Sequence, residues 1–286
     1  MHKPIDTREP SQVAAEVQEA YLEMFPQGDK DFIPMIFRWS NDWFGGSYLD
    51  YQPIDAHYHD LEHTLQGVLC MARLLRGRNA QGQEPKLTQR MFELGMLAIL
   101  MHDTGYLKKQ GDNEGTGAKY TLTHVDRSIQ FAGELMISRD FPIEEILAVQ
   151  NMIRCTGVNV KLDAIRFQND LERIVGFSLG TADLLGQMAA SDYVDKLPIL
   201  YSEFAEAANY NAGKMKAGGF FSSAEDLVQK TPMFWEKYVQ SKIDKEFLGL
   251  YRFLAEPYPN GRNSYMEKIE ANVARIRREL AQQASP

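Results

Sequence analysis

Five of the six histidines in this 286-residue chain (His57, His59, His63, His102 and His124) fall between positions 57 and 124, and His2 alone lies outside. Imidazoles gathered in one stretch offer metal ligands, proton donors or both. His59 and His63 stand four apart in Tyr58-His59-Asp60-Leu61-Glu62-His63-Thr64. On a helix that spacing sends both rings the same way, so the pair can ligate one metal or divide labour beside it. Further on, Met96-Leu97-Ala98-Ile99-Leu100-Met101 is apolar on every side and runs straight into His102-Asp103. A helix that is apolar all round is buried. A carboxylate at its end must be paired, hydrogen-bonded or bound to a cation, because burying it alone is costly or forces protonation.

Asp183 supplies a third piece. On a helix it shares a face with Gly176, Leu179, Gly180, Gly186 and Gln187. Each glycine inside a helix costs about 1 kcal/mol relative to alanine. Three on one face therefore predict that a neighbouring helix comes close to the carboxylate. His63, His102, Asp103 and Asp183 together offer two imidazoles, two carboxylates and no thiolate. That mixed nitrogen and oxygen set suits Mn²⁺, Mg²⁺, Fe²⁺, Co²⁺ or Zn²⁺, with waters completing the shell.

The elements that must position these residues read as helices nearly everywhere. Val13, Val17, Tyr21 and Phe25 recur at i, i+4 in a first helix from about Gln12 to Phe25, and Phe32 to Phe44 stops at Gly45-Gly46. Helical spacing also covers Gly67–Leu75, Gln89–Met101, His124–Met136, Ile143–Ile153, Leu171–Met188, Tyr193–Ala208 with a break at Pro198, Ala224–Trp235, Lys242–Leu254 and Ser264–Leu280. Val158–Ile165 is the only candidate for extended chain, so an all-α protein is expected. In the last helix Tyr265, Ile269, Val273, Ile276 and Leu280 form one stripe, which fits either the chain's own core or a homodimer contact. Nothing in composition divides the chain, which reads as a single domain.

Lys+Arg 31 against Asp+Glu 39 gives a net charge of −8, with 44% hydrophobic residues. That balance argues against a nucleic-acid polymer or an anionic membrane as partner, since both reward basic surface. Cys70 and Cys155 have no metal-type spacing. With no signal peptide or membrane-length apolar run, a cytoplasmic protein is expected.

The order His63, then His102-Asp103, then Asp183 on an all-α chain resembles the H…HD…D pattern of the HD-domain superfamily of metal-dependent phosphohydrolases. The resemblance spans about Tyr51 to Asp195 and implies an HD-domain helical bundle with added N- and C-terminal helices, residues 196–286 packing on it as an extension. Tyr58-His59-Asp60-Leu61-Glu62-His63 is also similar to the H-N-x-x-H element of class I cyclic nucleotide phosphodiesterases. That similarity implies His59 as proton donor and His63 as metal ligand. Two positions depart from the phosphodiesterases: Asp60 replaces the asparagine, and Tyr106 stands where H-D-x-x-H would place a histidine.

Around this pattern lie further candidates. Thr123-His124-Val125-Asp126 reads as a capped helix start. Two-metal relatives carry an extra histidine after the HD loop, so His124 is a candidate for a second metal or for substrate, or is simply a helix-terminal histidine. The loop Gly105–Thr123 is longer than most connectors, as a binding loop or lid would be. Lys108 or Lys109 within it, and Arg154, are candidate phosphate partners; Gln187 is a candidate for a base or sugar. The resemblance implies a metal ion held by His63, His102, Asp103 and Asp183, water attacking a phosphoester, and His59 protonating the leaving oxygen. The substrate expected is a small phosphorylated molecule of the nucleotide or cyclic nucleotide class. The same residues would also serve a metal- and nucleotide-binding sensor without hydrolysis, or an HD-fold di-iron oxygenase.

Overall fold

The computed structural model describes residues 5–157, 160–212 and 221–283. Among them the helices are α1 (Pro10–Met24), α2 (Phe32–Phe44), α3 (Leu61–Ala80), α4 (Gln89–Met101) and α5 (His124–Ser138). They continue as α6 (Ile143–Arg154), α7 (Asp170–Met188), α8 (Tyr193–Tyr210), α9 (Ala224–Phe234) and α10 (Ser264–Gln283). The strand structure of the described residues is a two-residue ladder, Ala255–Glu256 against Arg262–Asn263, and a bridge between Tyr51 and Lys109. The fold is all-α.

Local sequence starts the helices that carry the site. Asp60 caps α3 by accepting from the His63 amide, and Asn169 caps α7 by accepting from that of Glu172. Thr88 does the same for α4 at Met91. From Phe92 to Met101 every residue of α4 is buried, so the helix needs cover on all sides. α3, α6 and α7 supply much of it.

The packing of α3 on α7 sets the geometry of the site. A Cβ on Gly186 would lie 2.8 Å from the Gln66 carbonyl and the Gly67 amide, too near for any side chain. Across the contact, a Cβ on Gly67 would meet the Cα of Asp183 at 3.8 Å. The two backbones thus touch one turn from His63 and one turn from Asp183. Only Gly186 of the three glycines serves this approach. Gly176 faces the Cys155 sulfur and Met152, and Gly180 faces Phe247 and the Cys155 carbonyl.

Several local expectations are corrected. α3 extends well beyond Gly67–Leu75 at both ends, starting at the Asp60 cap and stopping before the left-handed Gly82. Pro198 does not break α8; the helix carries through it to Tyr210. Lys242–Leu254 is not one helix but a π turn (Lys242–Glu246), left-handed residues at Leu248 and Gly249, and a 3-10 turn (Leu250–Leu254). The Thr123 hydroxyl donates back to the Tyr120 carbonyl, so no capping box forms with Asp126. Of the proposed extended stretch, Val158 and Asn159 lie outside the described residues and Leu162–Ala164 is a 3-10 turn.

In α10, Tyr265, Ile269, Val273 and Ile276 are buried against the chain's own helices, with α7, α8 and α9 beside them. Arg275 reaches Asp195 on α8 and Glu279, and Arg277 reaches Glu236. The span 51–195 therefore ends within the first turn of α8, a helix that contributes directly to the site. No described helix is long and apolar enough to cross a membrane.

Candidate metal centre

Three helices deliver the four residues of the H…HD…D pattern to one place. His63 comes from the first turn of α3, His102 and Asp103 from the end of α4, and Asp183 from the middle of α7. His63 Nε2 lies 3.2 Å from Asp103 Oδ2 and 3.4 Å from Asp183 Oδ1. His102 Nε2 lies 3.3 Å from Asp103 Oδ2 and 3.4 Å from Asp183 Oδ1. Adjacent ligands about 2.1 Å from one octahedral ion are separated by about 3 Å, and tetrahedral ligands by slightly more. His63, His102 and Asp103 form a buried group that could hold a metal ion, their ligand atoms all within 4.8 Å of one another.

The donor atoms are also prepared for a cation. The His102 Nδ1–H donates to the Ile99 carbonyl at 2.7 Å, which turns Nε2 into the cluster. There His102 Nε2 and Asp103 Oδ2 are buried without a hydrogen bond to the protein. Buried polar atoms left so call for a partner. Protons and a cation compete for these atoms. Burial works against charging His63, but the carboxylates of Asp103 and Asp183 outweigh it and hold its pKa up to about 9. His102 is driven up in the same way against its own burial. Burial opposes the charged forms of Asp103 and Asp183 too, yet the two imidazoles keep both well below the ordinary carboxylate range.

His59 stands beside this group rather than in it, its ring centroid 5.3 Å from that of His63. Its Nδ1 lies 2.5 Å from Glu203 Oε2, and Glu203 Oε1 accepts from the Tyr58 amide at 2.7 Å. The imidazole beside Glu203 keeps that carboxyl below its usual value despite burial. Tyr106 stacks on His59 at 4.5 Å and on His124 at 4.7 Å. His124 donates its Nδ1–H to the Thr121 carbonyl at 2.7 Å and turns Nε2 toward Asp103 Oδ1, 3.8 Å away. Asp103 therefore presents one oxygen to His63 and His102 and the other to His124. Burial lowers the His124 pKa, which favours the neutral ring that ligation requires.

The remaining candidates divide. Gln187 is at the centre: its Nε2 donates to the Asp183 carbonyl at 3.1 Å, and its Oε1 accepts from the Tyr58 hydroxyl at 2.8 Å. Its amide thus orients Asp183 and Tyr58. Lys108 is buried and already matched, its Nζ 2.7 Å from Asp55 and 2.7 Å from the Gly115 carbonyl. Lys109 points elsewhere, over the Tyr51 ring at 5.2 Å. Arg154 donates to the neutral Asn151 Oδ1 at 3.0 Å, not to a member of the cluster.

The loop from Gly105 to Thr123 is anchored. Glu206 accepts from the Thr116 amide and hydroxyl, and Asp55 accepts from the Gly117 amide. Glu203, Tyr58 and Tyr106 are the residues sequence reasoning missed. Tyr58 and Tyr106 flank the quoted motifs, but Glu203 carries no local signal because only the fold of α8 brings it to His59.

Fold and site together define an all-α protein with a buried histidine–aspartate group able to hold a metal ion. The chain belongs to the Npun_R2479-like family, whose model matches residues 11–279. No curated protein and no solved structure matches it.

Proposed function

We propose that this protein is a metal-dependent phosphohydrolase of the HD-domain type, cleaving a small phosphoester of the nucleotide or cyclic nucleotide class. One observation carries the reading: His63 Nε2, His102 Nε2, Asp103 Oδ2 and Asp183 Oδ1 converge from three helices at the spacing of ligands around one ion. A divalent ion of the Mn, Mg, Fe, Co or Zn kind would be held by these four residues. When bound it lowers the pKa of water and draws charge from a phosphoryl oxygen.

The chain's own groups supply the rest. Glu203 holds His59 through Nδ1, which leaves Nε2 as the nitrogen that would pass a proton to the leaving oxygen. Tyr106 and Tyr58 fix the ring's plane, and Gln187 fixes the Asp183 carboxylate. His124, facing the second oxygen of Asp103, is positioned for a second ion or for substrate.

The test is a hydrolysis screen of nucleotide monoesters and diesters with each divalent ion, beside elemental analysis of the purified chain. Ion-dependent turnover is expected. Bound metal with no turnover on any ester would overturn the hydrolase reading and leave a metal- and nucleotide-binding sensor.

A further inference from the structure

A cavity of about 280 Å³ opens where the Tyr51–Lys109 bridge meets α5, lined by Tyr51, Lys109, Tyr120, Arg127 and Phe131 among others. Its lining includes no member of the metal group, although Thr104 follows Asp103 directly. In a chain of net charge −8 the cavity is lined by two cations and one acid. The acid, Asp112, is already met by the Lys119 ammonium and by the Tyr120 hydroxyl.

Arg127 is the unusual group. Its Nε donates to the Gly105 carbonyl at 2.6 Å and its Nη2 to the Leu107 carbonyl at 2.7 Å, with the guanidinium 3.6 Å over the Tyr120 ring. Among the described residues no carboxylate lies within ion-pair distance of it, and Nη1 makes no hydrogen bond. A half-buried guanidinium satisfied only by neutral carbonyls keeps its charge for an anion. Lys109 lies over the Tyr51 ring in the same lining, and its ion pair among the described residues is with the exposed Asp50 at 3.7 Å.

We propose that this cavity binds a phosphate-type anion, either inorganic phosphate or a small phosphomonoester. A guanidinium and an ammonium lining one cavity suit a dianion with several oxygens, since each can take its own. The volume admits a phosphate bearing a ring, and Tyr51, Tyr120 and Phe131 give that ring apolar walls. Arg127 grips the carbonyls on either side of Tyr106, whose ring stacks on His59 and His124. An anion on Arg127 is therefore one residue from the ring cluster beside the metal group.

The experiment is calorimetric titration of the full chain, freed of metal with a chelator, with inorganic phosphate and separately with phenyl phosphate at low salt. Saturable one-to-one binding is expected. It should weaken at least tenfold in Lys109→Glu and in Arg127→Gln, and stay within twofold in His102→Ala. Tighter phenyl phosphate assigns the rings to a monoester; equal affinities assign the site to phosphate itself. Arg127 also braces the backbone, so unfolding in that variant leaves the decision to Lys109→Glu, whose side chain makes only an exposed ion pair with Asp50 among the described residues. No saturable binding, unchanged affinity in Lys109→Glu, or loss in His102→Ala would overturn the proposal.

Discussion

Asp103 is the residue on which the site turns, because its two oxygens face different histidines. Removing its carboxylate leaves two buried imidazoles with no anion but Asp183. Asp103→Ala and Asp183→Ala are expected to lose bound metal and turnover together, read by elemental analysis and by the ester screen. His59→Ala should keep the metal and lose about 10²- to 10⁴-fold in rate, the ordinary worth of a positioned proton donor. Full turnover in Asp103→Ala would remove the basis of the hydrolase reading.

A second expectation at this scale concerns protons. His63 is raised from an ordinary value of 6.5 to about 9 in the metal-free chain. Its stabilising proton is fully in place below 6.5 and is lost as pH rises through about 9. The Nε2 atoms of His63 and His102 must shed their protons to ligate, and both are held above the ordinary value, so metal affinity should climb as pH rises from 6.5 through about 9. Equilibrium dialysis across that range checks the slope; an affinity flat with pH would contradict it.

Between elements, the contact of α3 with α7 sets the distance between His63 and Asp183. Gly186→Ala would press a methyl group onto the Gln66–Gly67 backbone, which cannot swing aside as a side chain can. Overpacking of this kind costs about 1–3 kcal/mol. The variant is expected to melt lower and bind metal more weakly, by thermal unfolding and dialysis respectively. A normal melting temperature with normal affinity would show that another contact holds the ligands in register. At this scale sequence reading was partly successful. The glycines around Asp183 do mark a close approach, but two of the three serve Cys155 and Phe247. Helical spacing says that a face is crowded without saying by what.

Across the whole molecule, the metal group ties together helices that begin more than a hundred residues apart, α3 at Leu61 and α7 at Asp170. A ligand that binds only the folded chain stabilises it by about 2.7 kcal/mol at a hundredfold excess over Kd. Chelation should therefore lower the melting temperature by several degrees, recovered when the ion is restored, as differential scanning calorimetry would show. An unchanged melting temperature would mean that the group holds no ion under those conditions.

The amino-acid sequence by itself determined the all-α character and the metal-ligand candidates, because helical periodicity and a buried His-Asp pair are local signals. It also placed α2 and α4 at their observed limits, where glycine or a capping threonine ends the pattern. Only the tertiary structure decided that Glu203 holds His59, that Lys108 is matched by Asp55, and that Arg127 donates to the Gly105 and Leu107 carbonyls. Those are pairings between segments distant along the chain, with separations such as 144 residues for His59 and Glu203. Side-chain chemistry names what each group can bind, but which group it meets depends on how the helices pack.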